Sequence, residues 1–228
     1  VRRYGDDVVG FVQLVAVAPG RRRSGVGREV VATLQEWAFD EHGARAMAVG
    51  GCAPYYLWPG VDAHMTPALC LFEALGYRPR GAELNMAFSA RHRAPAPAGV
   101  AVRRVIDDED AGAAVEFCRS RWPNWVAELQ RAVDHGSCLV AVEEATGALL
   151  GFGCHSVNRL GWLGPMATEP GRQHGGVGNA LLGAIATDVM AAGLSTVEVA
   201  WVGPVRFYAK AAGATVSRAF RTLTLPRA

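Results

Sequence analysis

Thr168-Glu169-Pro170-Gly171-Arg172-Gln173-His174-Gly175-Gly176-Val177-Gly178 is the stretch on which the fold turns. The first half carries a near copy, Val17-Ala18-Pro19-Gly20-Arg21-Arg22-Arg23-Ser24-Gly25-Val26-Gly27. An apolar segment leads into each, residues 162–167 and 10–17, and reads as a strand. A helical pattern follows each: Val30, Val31, Leu34, Trp37 and Ala38 in one, Leu181, Leu182, Ile185, Val189 and Met190 in the other. Two glycines one residue apart let the backbone fold tightly and approach a ligand. The first N–H groups of the next helix lack internal partners. With the helix dipole they make a site for phosphate or pyrophosphate. Arg23 and His174 lie inside the turns and add charge.

The likeness continues outward. Each helical pattern ends near a glycine, Gly43 or Gly193, a residue favoured at helix C-caps. A short strand-like run follows, residues 46–49 or 196–199. A last short helix ends in glycine: Leu71-Phe72-Glu73-Ala74-Leu75-Gly76 and Phe207-Tyr208-Ala209-Lys210-Ala211-Ala212-Gly213. Such self-similarity indicates duplication of one unit. The first copy has an aromatic insertion, Tyr55-Tyr56-Leu57-Trp58-Pro59-Gly60, and the second carries extra elements ahead of its glycine turn. The extra elements read as a strand over 100–105, a helix over 107–119 capped by Asp107 or Asp108, a helix over 125–133, and strands over 138–143 and 149–157. Alternating Pro and Ala in residues 89–99 read as an extended linker. The expected organisation is a partial N-terminal domain over 1–90, a linker over 91–99 and a C-terminal domain over 100–228.

The chain has 228 residues, half of them apolar and 19% charged, a globular and not a disordered composition. Net charge is +2 and evenly spread: residues 1–90 hold nine basic and nine acidic side chains, residues 100–228 twelve of each. Neither half shows the basic excess of a nucleic-acid binder. No apolar run reaches the ~18 residues that span a bilayer. The start, Val1-Arg2-Arg3-Tyr4-Gly5-Asp6-Asp7, turns acidic where a signal peptide would become apolar. A cytoplasmic protein without membrane or nucleic-acid partners is expected. Five cysteines without a CxxC pair suggest neither disulfide framework nor zinc site, and the scattered histidines have no ligand spacing.

A Walker loop would need Gly-Lys-Ser/Thr, absent from both turns, and a dinucleotide fingerprint would need a third glycine where Val30 and Leu181 stand. The pattern present is Arg/Gln-x-x-Gly-x-Gly: Arg22 to Gly27 and Gln173 to Gly178. With the upstream proline and the late Phe-Tyr-x-x-x-x-Gly helix, the chain resembles the GNAT superfamily of acyl-CoA N-acyltransferases, in a tandem form whose first domain is shortened. That resemblance implies an α/β (α+β) fold with a mixed, mostly antiparallel sheet in each half. It implies acetyl-CoA as co-substrate, its pyrophosphate on the turn Gln173, His174, Gly175, Gly176, Val177, Gly178 and Asn179. The matching positions in the first half are Arg22, Arg23, Ser24, Gly25, Val26 and Gly27. The preceding strand would pair with the pantetheine arm through Met166, Ala167 and Thr168, or through Val15 and Val17.

Tyr208 matches the family's general acid, which protonates the departing thiolate. Phe72 stands at that place in the first half and cannot donate a proton, so catalysis is assigned to the second. Glu198 is the leading candidate for general base, with His155 and Glu169 as others. The expected reaction is direct attack of an amine on the thioester in a ternary complex. The acceptor, a small molecule or a peptide, is not named by the sequence. A homodimer is open, and the rival expectation is a non-catalytic acyl-CoA-binding or scaffolding protein.

Overall fold

The computed structural model describes residues 1–52, 54–172 and 175–227. Its contacts divide into two units, Val1–Leu84 with Arg218–Ala228, and Asn85–Ser217. This division differs from a cut at residue 90. Each unit completes its sheet with a strand from the far side of the sequence midpoint.

In the first unit, β1 (Arg2–Tyr4) pairs antiparallel with β2 (Asp7–Val12). Residues 13–18 and a short 3-10 turn at Pro19–Arg21 lead to α1 (Val26–Glu36), which widens into a π-helical turn at Trp37–Glu41. The following strand, β3 (Ala46–Val49), lies parallel to β2 over Val9–Val12. After β4 (Val61–Asp62) and α2 (Thr66–Ala74), β5 (Arg78–Ser89) leaves the unit. The chain's closing residues return to it: Leu223, Thr224, Leu225 and Pro226 pair antiparallel with Val49, Ala48, Met47 and Ala46. Val31, Met47, Phe72, Tyr77 and Leu223 form its core.

In the second unit, β6 (Val100–Arg104), β7 (Cys138–Glu143), β8 (Leu149–His155) and β9 (Trp162–Thr168) form an antiparallel run. β10 (Thr196–Val199) is parallel to β9 and antiparallel to residues 86–89 of β5. On one sheet face lie α3 (Asp108–Arg121) and α4 (Val126–Asp134), whose core joins Cys118, Leu129, Phe152, Cys154 and Ala167. On the other lies α5 (Val177–Ala191), with Leu181, Leu182 and Ile185 over Leu139, Ala141 and Leu163. α6 (Val205–Ala212) and β11 (Thr215–Pro226) close the chain. Asp107 caps α3 as the sequence suggests, accepting from Asp110 N at 2.8 Å, and three acidic residues favour its first turn.

Residues 90–97, most of the stretch read from sequence as an extended linker over 91–99, run along the outer face of α5. Ala90 is buried, and its N–H donates to Ser195 O at 2.9 Å. His92 Nε2 lies 3.0 Å from Asn179 Oδ1. A Cβ on Gly183 would stand 2.7 Å from Ala94 N, so only glycine admits the strap there. That cover explains why α5 is apolar nearly all round.

Candidate functional site

The site is built where β9 and β10 part. They pair only at Glu198 with Trp162 and Val199 with Leu163. β10 ends at Val199, while β9 runs on to Thr168 beside β8. The β8–β9 register slips between Gly153, opposite Met166, and His155, opposite Leu163, which puts an extra residue on β9. An extra residue bends a strand and increases its local twist, and the bend opens a wedge along residues 164–168. Met166, Ala167 and Thr168, the residues expected beside a pantetheine arm, form one side of that wedge.

The wedge leads to the glycine turn. Gly176 caps α5 at φ 86°, a left-handed conformation that favours glycine. The first internal bond of α5 runs from Ala180 N to Gly176 O at 3.0 Å. The N–H groups of Val177, Gly178 and Asn179 therefore precede the ladder. A Cβ on Gly178 would meet the Phe207 ring at 3.0 Å, and one on Gly176 would meet Pro97 at 3.0 Å. These bare positions and ordered N–H groups suit a pyrophosphate. Gly175 and Gly176 form the turn itself. Gln173 and His174 lie outside the described residues.

The first unit has the same turn in a different setting. Gly25 caps α1 at φ 89°, and Glu29 N bonds Gly25 O at 3.1 Å. Val26 and Gly27 open the helix. Arg22 Nε donates to Val17 O at 3.0 Å, so one carbonyl of the expected arm-binding segment, which includes Val15, is already engaged. Arg23 adopts φ 64°, and Ser24 Oγ bonds Arg21 O at 2.7 Å. Phe72, at the tyrosine's place, packs edge-on against Tyr77 with ring centroids 5.1 Å apart.

Tyr208 lies on α6, buried, with its ring centroid 5.0 Å from that of Phe207. Burial pushes its hydroxyl well above the ordinary value, so it holds its proton throughout the neutral range. Glu198 sits on β10 opposite Trp162, one level before the last pair, Val199 with Leu163. Its Oε1 accepts from Asn85 Nδ2 at 2.8 Å and its Oε2 from Trp162 Nε1 at 2.9 Å, with Arg159 at 3.7 Å. Asn85 Oδ1 accepts from Trp201 N at 3.1 Å, which ties the loop after β10 to the same carboxylate. The other two base candidates are engaged elsewhere. Glu169 bonds Arg121 at 2.8 Å. His155 bonds Asp188 at 3.1 Å and Ser156 at 3.0 Å, and burial lowers its imidazole against the pull of Asp188.

Sequence reasoning missed a second carboxylate. Glu128 on α4 is 7% exposed, accepts from Asn158 Nδ2, and titrates at about 7 because burial disfavours its charge. The signal was available: Trp125, Glu128, Leu129 and Ala132 share one stripe at helical spacing, with a charge among apolar neighbours. Asn85 carried no such signal.

A family model, the acetyltransferase (GNAT) family, matches residues 2–77 and again 104–214. No curated protein sequence matches the chain. Among solved structures, a GCN5-related glucosamine N-acetyltransferase region of a fungal multi-domain β-N-acetylglucosaminidase is 18% identical with TM-score 0.76, covering 97% of this chain and 30% of that one. A tandem GNAT protein from the clavulanic acid biosynthesis pathway is 20% identical with TM-score 0.73, covering 97% and 76%. A GCN5-related N-acetyltransferase from Sphaerobacter thermophilus is 24% identical with TM-score 0.67, covering 92% and 70%. The chain thus spans under a third of the fungal protein. These likenesses carry the fold. Among the described residues no helix is long and apolar enough to cross a membrane.

Proposed function

Because this chain belongs to the acetyltransferase (GNAT) family, we propose that it is an N-acetyltransferase whose second unit moves an acetyl group from acetyl-CoA to an amine. The wedge between β9 and β10, ending at the uncapped N–H groups of α5, is the observation that carries this reading. When bound, acetyl-CoA supplies an activated thioester. Residues Gly175 to Asn179 hold the pyrophosphate, with Gln173 and His174 in the same turn by the sequence pattern. Met166, Ala167 and Thr168 present backbone to the pantetheine arm. An N–H near Met166 or Ala167 polarises the thioester carbonyl, a contribution of about 3 kcal/mol for such donors. Glu198, held by Asn85 and Trp162, receives the acceptor's ammonium at the apex of the wedge. Tyr208 delivers a proton to the leaving sulfur, a transfer that its protonated state at neutral pH permits.

Calorimetric titration with acetyl-CoA tests the binding part. The wild type binds one equivalent and Gly178→Glu binds none, because the new side chain displaces the Phe207 ring, 3.0 Å from a Cβ there, and sets an anion beside the pyrophosphate turn. Full-stoichiometry binding by Gly178→Glu would move the site to Arg22–Gly27 in the first unit. A panel of primary amines, spanning amino acids, polyamines and aminosugars, then identifies the acceptor class. Tyr208→Phe is expected to slow transfer at least about 100-fold with acetyl-CoA affinity intact.

The burial of Tyr208 among Leu181, Val199 and Ala214 favours a second reading, a non-catalytic acyl-CoA-binding protein in which this tyrosine only packs. Binding with no transfer to any amine of the panel would establish that reading instead.

A further inference from the structure

We propose that Glu128 is the carboxylate that takes the proton from the acceptor amine, facing the amine from α4 together with Asn158. The inference rests on the acetyltransferase reading above.

Among the described residues five polar or charged side chains are buried: Asn85, Asp110, Glu128, Ser137 and His155. Four have evident architectural work. Asp110 bonds Arg103 at 2.8 Å, His155 bonds Asp188, Asn85 orients Glu198, and Ser137 bonds Ala132 O at 3.3 Å. Glu128 stands in the first turn of α4, where a negative charge suits the helix dipole, but its carboxylate bonds outside its own helix. Its carboxylate accepts from an amide on the loop between β8 and β9. That loop reaches the apex of the wedge: the next residue, Arg159, lies over the Trp162 ring at 5.5 Å and 3.7 Å from Glu198. The core joining Leu129 of α4 to Ala167 of β9 puts this helix on the sheet face toward which Ala167 and Cys154 point. Glu198 alternates with Val197 and Val199, which join the opposite core, and so shares the face of α4. Trp122 and Trp125, stacked with centroids 5.9 Å apart, belong to the same face and keep it apolar.

The charged and titratable groups around Glu128 are few. Arg131, one turn along α4, donates to Asn158 Oδ1 at 3.0 Å and favours the ionised form. Cys154 of β8 lies close by and is held neutral by burial. Behind it are Cys138 of β7 and Cys118 of α3, the latter pushed up to about 11 by burial. Burial outweighs Arg131 and Asn158 and brings Glu128 to about 7, the range in which a carboxylate can both accept and release a proton. Glu198 differs, because both its oxygens already accept bonds. It suits docking an ammonium, and Glu128 suits removing its proton.

The step balances. The ammonium loses one proton to the Glu128 carboxylate, which becomes the neutral acid. The freed nitrogen bonds the acetyl carbonyl carbon and the carbon–sulfur bond breaks. Sulfur takes the Tyr208 proton, and the second nitrogen proton restores Tyr208. Glu128 then releases its proton to solvent.

The test combines three measurements on the intact chain. Carbon-13 NMR of labelled glutamate carboxyls, from about pH 4 to about pH 9, shows one carboxyl with a midpoint near 7 in the wild type and none in Glu128→Gln. The rate profile with the fastest acceptor of the amine panel has an acid limb at the same midpoint. Glu128→Gln loses that limb and about 100-fold in kcat, while calorimetric acetyl-CoA affinity stays unchanged. Asn158→Ala keeps Glu128 and moves both the carboxyl signal and the acid limb to higher pH, since it withdraws a bond to the charged form. An acid limb retained in Glu128→Gln, or a Glu128 carboxyl titrating in the ordinary range, overturns the proposal. Failure of the wild type to bind acetyl-CoA, read first by calorimetry, overturns the acetyltransferase reading and this inference with it.

Discussion

Burial treats Glu198 and Glu128, two carboxylates of the second unit, differently. Glu198 is half-buried and accepts two well-formed bonds, whereas Glu128 is buried beside a single amide. The cost is borne by the fold and depends on pH. Below pH 4.5 Glu128 is protonated in both folded and unfolded chains. As pH rises towards about 7, the unfolded chain ionises first, and stability is lost over that window. Glu128→Gln removes this dependence. Its stability relative to wild type should rise between about pH 5 and about pH 8, by up to about 3 kcal/mol, in urea unfolding at the two pH values. An equal difference at both would show that the carboxyl does not titrate late. At Tyr208 the same desolvation acts on a phenol, so the Tyr208→Phe variant loses a donor but little packing, and its melting temperature should stay near that of wild type.

The two helices after the glycine turns show how one element changes with its cover. α1 is amphipathic: Val31 is fully buried while Arg28, Glu29 and Glu36 face solvent. α5 buries eight residues, among them Gly183, because residues 90–97 lie along its outer side. The strap needs glycine at that point, since Ala94 N would stand 2.7 Å from a Cβ. Gly183→Val is expected to push strap and helix apart and lower stability by about 1–3 kcal/mol. Deuterium exchange should then rise at Ala90, whose N–H is bonded to Ser195 O. Unchanged protection there would mean that the strap adapts without strain. The Pro- and Ala-rich composition of this segment was legible as extended chain, but its partner was not. An extended strand without internal bonds looks the same in sequence whether it crosses solvent or a helix.

At the scale of the whole molecule the two halves of the sequence exchange their last strands. Residues 223–226 pair with β3, and Phe220 and Leu223 are buried in or beside the first unit's core. Arg218 Nε bonds Asp62 at 2.8 Å in the same unit. Truncation after Ser217 should therefore unfold residues at the opposite end of the sequence. Exchange protection is expected to fall across β2 and β3, with a separate low-temperature unfolding transition. Intact protection of β3 in the truncated chain would refute the exchange of strands. The exchange also explains why Asn85, in the first half of the sequence, holds Glu198 in the second.

The sequence by itself determined the local devices: the duplicated glycine turns, the helices they start, the acidic cap of α3, and the short strands Ala46–Val49 and Thr196–Val199. Each depends on neighbours within a turn or two, and glycine, proline and apolar spacing record such needs directly. Only the tertiary structure decided which strand completes which sheet, what covers α5, and which carboxylate is dry. Strand pairing and desolvation arise between residues far apart in the chain, and a single sequence carries no mark of who will meet whom. Glu128 stands between the two cases. Its stripe on α4 was readable, but the upward shift of its pKa came from burial in the folded unit, which outweighs Arg131 and the Asn158 amide.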